Sequence, residues 1–66
     1  MLTVREQEVV ECITTYMNEN GFPPSVRDMA GILFVSHKTA HRYLEQLEHK
    51  GCIRRHRHRP RAIQLL

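Results

Sequence analysis

The side chains best able to do chemistry in this chain of 66 residues are cations, and many of them are gathered in one place. Between Ile53 and Ala62 the stretch RRHRHRPR carries Arg54, Arg55, Arg57, Arg59 and Arg61 together with His56 and His58. Guanidinium groups present planar forks of N–H donors that match the oxygens of phosphates and carboxylates. A second group, Lys38, His41 and Arg42 with the hydroxyls of Ser36 and Thr39, falls on the stretch SHKTAHR. Ser25 and Arg27 form a third, smaller one in PPSVRD. These residue types suit the grip of an anionic polymer. They do not suit bond cleavage: Ser25, Ser36, Lys38 and Lys50 all stand at predicted helix ends, where capping explains them. No nucleophile, base and oxyanion set can be assembled. The expectation is a binding module without catalytic residues.

The distribution of charge sharpens this. The formal net charge is +3 and the isoelectric point about 9.3, but the two halves differ. Residues 1–36 carry two cations against five acids, a net −3; residues 37–66 carry eight cations against two acids, a net +6. One half is built to meet an anion. The five histidines raise the question of a metal. His37 and His41 stand four apart and His49 lies three before Cys52, yet no set of four ligands has structural-zinc spacing, so neither a metal nor a cofactor is expected. Protonation is the better use of imidazole here, since a nearby phosphate would favour the charged form of His41, His56 and His58. Cys12 and Cys52 sit in apolar runs and read as small fillers in a reduced compartment. No signal peptide is evident and no apolar run approaches the roughly 20 residues of a membrane span. A cytoplasmic protein with no membrane partner is expected.

The elements that must position these groups follow from caps and periodicity. Thr3 with Glu6 has capping-box spacing; Val9, Ile13, Tyr16 and Met17 follow at helical intervals, and Asn20-Gly21 is a left-handed stop. This predicts a first helix over about 4–19. Pro23 and Pro24 enforce an extended connector. Ser25 then caps a second helix over about 26–33, with Asp28 as a weaker box partner and Val26, Met29, Ala30 and Leu33 inward. Ser36 caps a third over about 37–49, ended by Gly51 with Lys50 near its C-terminus. Ala40, Leu44 and Leu47 share one line of it, with Tyr43 at the edge, while Lys38, Arg42, Glu45 and His49 share the opposite line. CIRRH and RAIQLL are short strands joined around His58-Arg59-Pro60, a hairpin over about 52–65.

The predicted fold class is mainly α with a small β-hairpin: one domain over 1–66, a three-helix winged helix-turn-helix whose hairpin is the wing. LTVREQEVVECI, GFPPSVRDMA, YLEQLEHKGCIRR and RPRAIQLL together resemble the N-terminal DNA-binding domain of the LexA repressor family across essentially the whole chain. The resemblance implies a sequence-specific, double-stranded DNA-binding transcriptional repressor. On it, Ser36, Lys38, Thr39, His41 and Arg42 would read bases in the major groove. Ser25 and Arg27, with Lys50, Arg55, Arg57, His58 and Arg59, would hold phosphates. The family's glycine in the turn before the third helix is absent, where GILFVS runs about one residue short. The third helix is basic and hydroxylated where some members are acidic, so the family's usual operator is not carried over.

Members of the family continue into a self-cleaving peptidase domain that also dimerises. With 66 residues, the expectation is a free-standing small regulator. One module of this size buries limited surface, so two copies on a palindromic operator are expected. A homodimer would form through the outer face of the first helix, through the IQLL edge, or only on DNA. The competing reading of Lys38 and Arg42 is a solvated helix face, and that of the wing arginines a basic tail. The competing function is a winged-helix protein-interaction module within a transcription or phage regulatory complex. It would expose an apolar patch and bind without steep salt dependence.

Overall fold

The computed structural model describes residues 1–56 and 63–66. Three helices, α1 (Val4–Asn20), α2 (Val26–Leu33) and α3 (His37–His49), precede two short strands, β1 (Ile53–Arg55) and β2 (Ile63–Leu65). The strands pair antiparallel, with Ile53 opposite Leu65, Arg54 opposite Gln64 and Arg55 opposite Ile63. The architecture is a winged helix-turn-helix, mostly helical with a two-stranded hairpin. Its described strands are shorter than the stretches CIRRH and RAIQLL.

Each helix begins on a cap that satisfies backbone donors left free in its first turn. On α1 the Glu6 N–H donates to Thr3 Oγ1 at 3.1 Å while the Thr3 N–H donates to Glu6 Oε1 at 2.9 Å. On α2 the Asp28 N–H donates to Ser25 Oγ at 3.0 Å and the Ser25 N–H returns to Asp28 Oδ2 at 3.1 Å. Asp28 is therefore a full box partner, and it also accepts from Tyr16 Oη at 3.1 Å, which ties the start of α2 to α1. The Tyr16 ring in turn meets Phe22 edge-on at 5.9 Å. The proline connector is thus clamped between the helices that it joins.

All five elements feed one core: Val9 and Ile13 from α1, Met29 from α2, Leu44 and Leu47 from α3, Ile53 from β1 and Ile63 from β2. Removing each large side chain from water contributes roughly 1.5–3 kcal/mol. The hairpin is anchored by two isoleucines, and period-two alternation then sets its arginines apart. Arg55 lies on the same side of the strand as Ile53, while Arg54 points the other way and is exposed.

The shortened turn between α2 and α3 is closed without glycine. Phe34 takes the left-handed conformation (φ 57°, ψ 46°), its N–H donating to the Ala30 carbonyl. The Val35 N–H reaches the same carbonyl at 3.0 Å, and Ser36 begins the next cap. Two residues therefore suffice to turn the chain, and the third helix starts where the spacing places it. The conformation costs a β-carbon-bearing residue about 1–2 kcal/mol, and the Phe34 side chain recovers little by packing, being 95% exposed. Replacing Phe34 with glycine relieves that strain but adds freedom to the unfolded chain. Phe34→Gly is expected to stabilise the fold by about 0.5–1 kcal/mol, a rise in Tm of roughly 2–8 °C. Thermal unfolding checks this; an unchanged or lower Tm would contradict it.

Candidate nucleic-acid interface

The outward face of α3 holds most of the predicted base-reading group. Ser36, Lys38, His41 and Arg42 are exposed and Thr39 is half-buried. Ser36 is occupied at the cap: its Oγ accepts from the Thr39 N–H at 3.1 Å and donates to Thr39 Oγ1 at 3.0 Å. That pair fixes the Thr39 rotamer and leaves its methyl group and one O–H for a partner. Arg42 lies against the Tyr43 ring, its Cζ 5.8 Å from the centroid. Ser25 is likewise committed to its cap, whereas Arg27, the second residue of α2, is exposed.

The first turn of α3 has an electrostatic feature that those of α1 and α2 lack. The N-terminus of a helix carries a positive partial charge that favours acids and disfavours cations, typically by 0.3–1 kcal/mol. α1 and α2 answer Arg5 and Arg27 with the capping-box acids Glu6 and Asp28, whereas α3 places Lys38 there with no acidic residue in the turn. Backbone donors and cations are concentrated together, the arrangement that an anion relieves.

Two of the predicted phosphate ligands are already paired with carboxylates of the fold. Lys50 Nζ donates to Glu6 Oε1 at 2.6 Å and to the Met1 carbonyl at 3.4 Å. Glu6 is only 3% exposed, and Lys50, followed by the Thr3 N–H, holds its carboxyl well below the usual range, at about 2. Arg55 grips Glu48: Nε and Nη2 donate to Oε1 at 3.1 and 3.0 Å, and the Arg55 N–H approaches Oε2 at 3.4 Å. The Arg55 side chain is 15% exposed. Arg54, by contrast, makes no ion pair with a described residue and faces outward. Arg57, His58 and Arg59 lie outside the described residues.

The Glu6–Lys50 pair makes a checkable prediction. A carboxyl depressed from 4.5 to about 2 stabilises the fold above its unfolded value, and that contribution is lost as pH falls toward 2. Lys50→Met should lower Tm by several degrees at pH 7 and shift the onset of acid unfolding to higher pH, because Glu6 would then be buried without its cation. Calorimetry at pH 7 and at about pH 3 reads both effects. A Lys50→Met protein with wild-type stability at both values would refute the structural role.

The groove between α1 and α2 is acidic. Its volume is about 490 Å³, and it is lined by Glu8, Glu11 and Glu19 around Cys12, Ile32 and Leu33. Burial pushes the Cys12 thiol up, which keeps it protonated at neutral pH. Among the described residues no three of His, Cys, Asp and Glu are grouped to hold a metal ion, and no described helix is long and apolar enough to cross a membrane.

The caps of two helices, a tight turn, a third helix whose first two turns carry Lys38 and Arg42 without an acid, and a hairpin beside it define a winged helix-turn-helix of the nucleic-acid-binding kind. Residues 1–62 match the family model of the LexA DNA binding domain, and the chain belongs to that family. It is 37% identical over 67 residues to the LexA repressor of Carboxydothermus hydrogenoformans, covering 100% of this chain and 33% of that protein. It is 42% identical over 66 residues to the LexA repressors of Bacillus mycoides and Bacillus thuringiensis, covering 98% of this chain and 32% of each. The chain thus spans about a third of the length of the curated relatives it matches.

Proposed function

We propose that this chain binds double-stranded DNA in a sequence-specific manner and represses transcription from a palindromic operator, occupied by two copies. The observation that carries the reading is the first turns of α3: a capped N-terminus with His37, Lys38, His41 and Arg42 and no opposing acid, a cationic helix end fit for entry into a groove walled by phosphates. Arg42 or Lys38 pairs with guanine N7 and O6, and Thr39 offers its methyl to thymine. Ser36 sets the start of the helix and His41 flanks the same edge.

Phosphates are held by Arg27 at the start of α2, with Ser25 fixing the local backbone, and by the outward Arg54 of the wing. Arg57, His58 and Arg59 extend that grip. Lys50 and Arg55 serve the fold first, through Glu6 and Glu48, and contribute to the field more than to direct contact. The acidic α1–α2 groove faces away from the duplex, since phosphates would be repelled there. The cytoplasm, where bacterial DNA resides, is the place of action.

Selection of bound duplexes from a randomised pool at two salt concentrations tests this. Enrichment of one palindromic motif at both is expected. Retention of random duplexes without any enriched motif, or no retention at low salt, would overturn the reading.

A further inference from the structure

We infer that Tyr43 is a positioning residue for Arg42, presenting its guanidinium toward the bases, and that Arg5 of α1 locks Tyr43 in place. The inference deepens the reading above and rests on the base-contacting role proposed there for Arg42. Tyr43 sits on α3 at the border between the buried line of Leu44 and Leu47 and the exposed line of Lys38 and Arg42. Two guanidinium carbons approach its ring, Arg42 Cζ at 5.8 Å and Arg5 Cζ at 5.6 Å from the centroid. Each nitrogen of the Arg5 guanidinium has a partner: Nε donates to Tyr43 Oη at 3.2 Å, Nη2 to the Leu33 carbonyl at 3.2 Å and Nη1 to Glu8 at 2.8 Å. One side chain therefore joins α1, the end of α2 and α3.

Successive residues on a helix do not normally face one another. Contact between Arg42 and Tyr43 consequently depends on where the ring is held, and the hydroxyl bond from Arg5 holds it. Two like charges on one ring would repel, but Glu8 offsets the charge of Arg5 at 2.8 Å. Arg42 is left with the ring face as its neighbour. A guanidinium that lies against an aromatic ring keeps its N–H edges available, the edges that a guanine would use. An arginine already confined to one orientation loses less freedom on binding, worth about three- to tenfold in affinity for one long side chain.

The test uses the duplex that the wild-type chain selects from a randomised pool, and a second duplex changed at the base pair that Arg42→Ala no longer discriminates. Affinities are measured for wild type, Tyr43→Leu, Arg42→Ala and the double variant, with Tyr43→Phe and Arg5→Met alongside. Tyr43→Leu is expected to weaken the selected duplex about three- to tenfold, and the changed duplex far less. It should cost nothing more once Arg42 is gone. Tyr43→Phe, which keeps the packed ring and loses only the bond from Arg5, should fall between wild type and Tyr43→Leu, as should Arg5→Met. Equal losses for Tyr43→Leu with and without Arg42 would show a structural tie alone and overturn the inference. So would undiminished affinity and base preference in a Tyr43→Phe protein of wild-type Tm. If Arg42→Ala itself leaves base preference intact, the assignment of Arg42 fails, and the positioning role falls with it.

Discussion

Raising monovalent salt from about 50 to about 200 mM is expected to weaken binding to the selected duplex by roughly 250- to 1,000-fold. The figure follows from counterion release. About five neutralised phosphates give a slope of log affinity against log salt of roughly −4 to −5. The exposed described cations Arg27 and Arg54, with Arg57 and Arg59, and Lys38 where Arg42 takes the guanine, supply that number. Lys50 and Arg55 are left out of it because each already faces a carboxylate at 2.6 and 3.0 Å. Replacing Arg57 and Arg59 together by alanine should flatten the slope by about two without changing which motif is selected. Fluorescence anisotropy across a salt series reads both effects. A slope near zero would instead favour a protein-interaction module, whose affinity rests on apolar contact.

The second large effect belongs to the bases. Arg42→Ala should cost about 1–3 kcal/mol on the selected duplex, roughly a 5- to 150-fold loss, and relax preference at one base pair per half-site. Its effect on the salt slope should be small, since a contact to a guanine edge is not primarily one to a phosphate. Arg27→Ala should do the reverse, weakening all duplexes alike and reducing the slope by about one. Competition with single-base variants of the duplex separates the two. Uniform weakening across all variants by Arg42→Ala would move Arg42 from base reading to backbone contact.

Much of the fold was legible because the local signals agree. Thr3, Ser25 and Ser36 each mark a helix start, and Gly21 closes the first helix at φ 80° as the left-handed stop read from Asn20-Gly21. The turn before α3 was harder. Without a glycine its register depended on whether a large residue would accept the left-handed region, and Phe34 does so. Composition cannot announce that, because the strain is offset by packing elsewhere in the fold.

The site was read less completely, for a reason that is physical. Clustered cations look alike in a sequence, but alternation along β1 seats Arg55 on Glu48 and turns Arg54 outward. Ile53 and Ile63, as the inward residues of the hairpin, carried that distinction. The Lys50–Glu6 and Arg5–Tyr43 contacts span 44 and 38 residues, so no local pattern contains them. Glu6 was identified as a cap partner; its near-complete burial becomes apparent only when α3 returns to the start of α1.

The claim on which most depends is that the exposed start of α3 meets the duplex. Titrating the isotopically labelled chain with the selected duplex at low salt, while following backbone amide shifts, tests it residue by residue. The predicted result is that the largest shifts fall on Ser36 to Arg42, with Arg27 and Arg54 next, while Glu8, Glu11 and Glu19 stay unmoved. Shifts concentrated along the α1–α2 groove, with the amides of α3 unchanged, would contradict it.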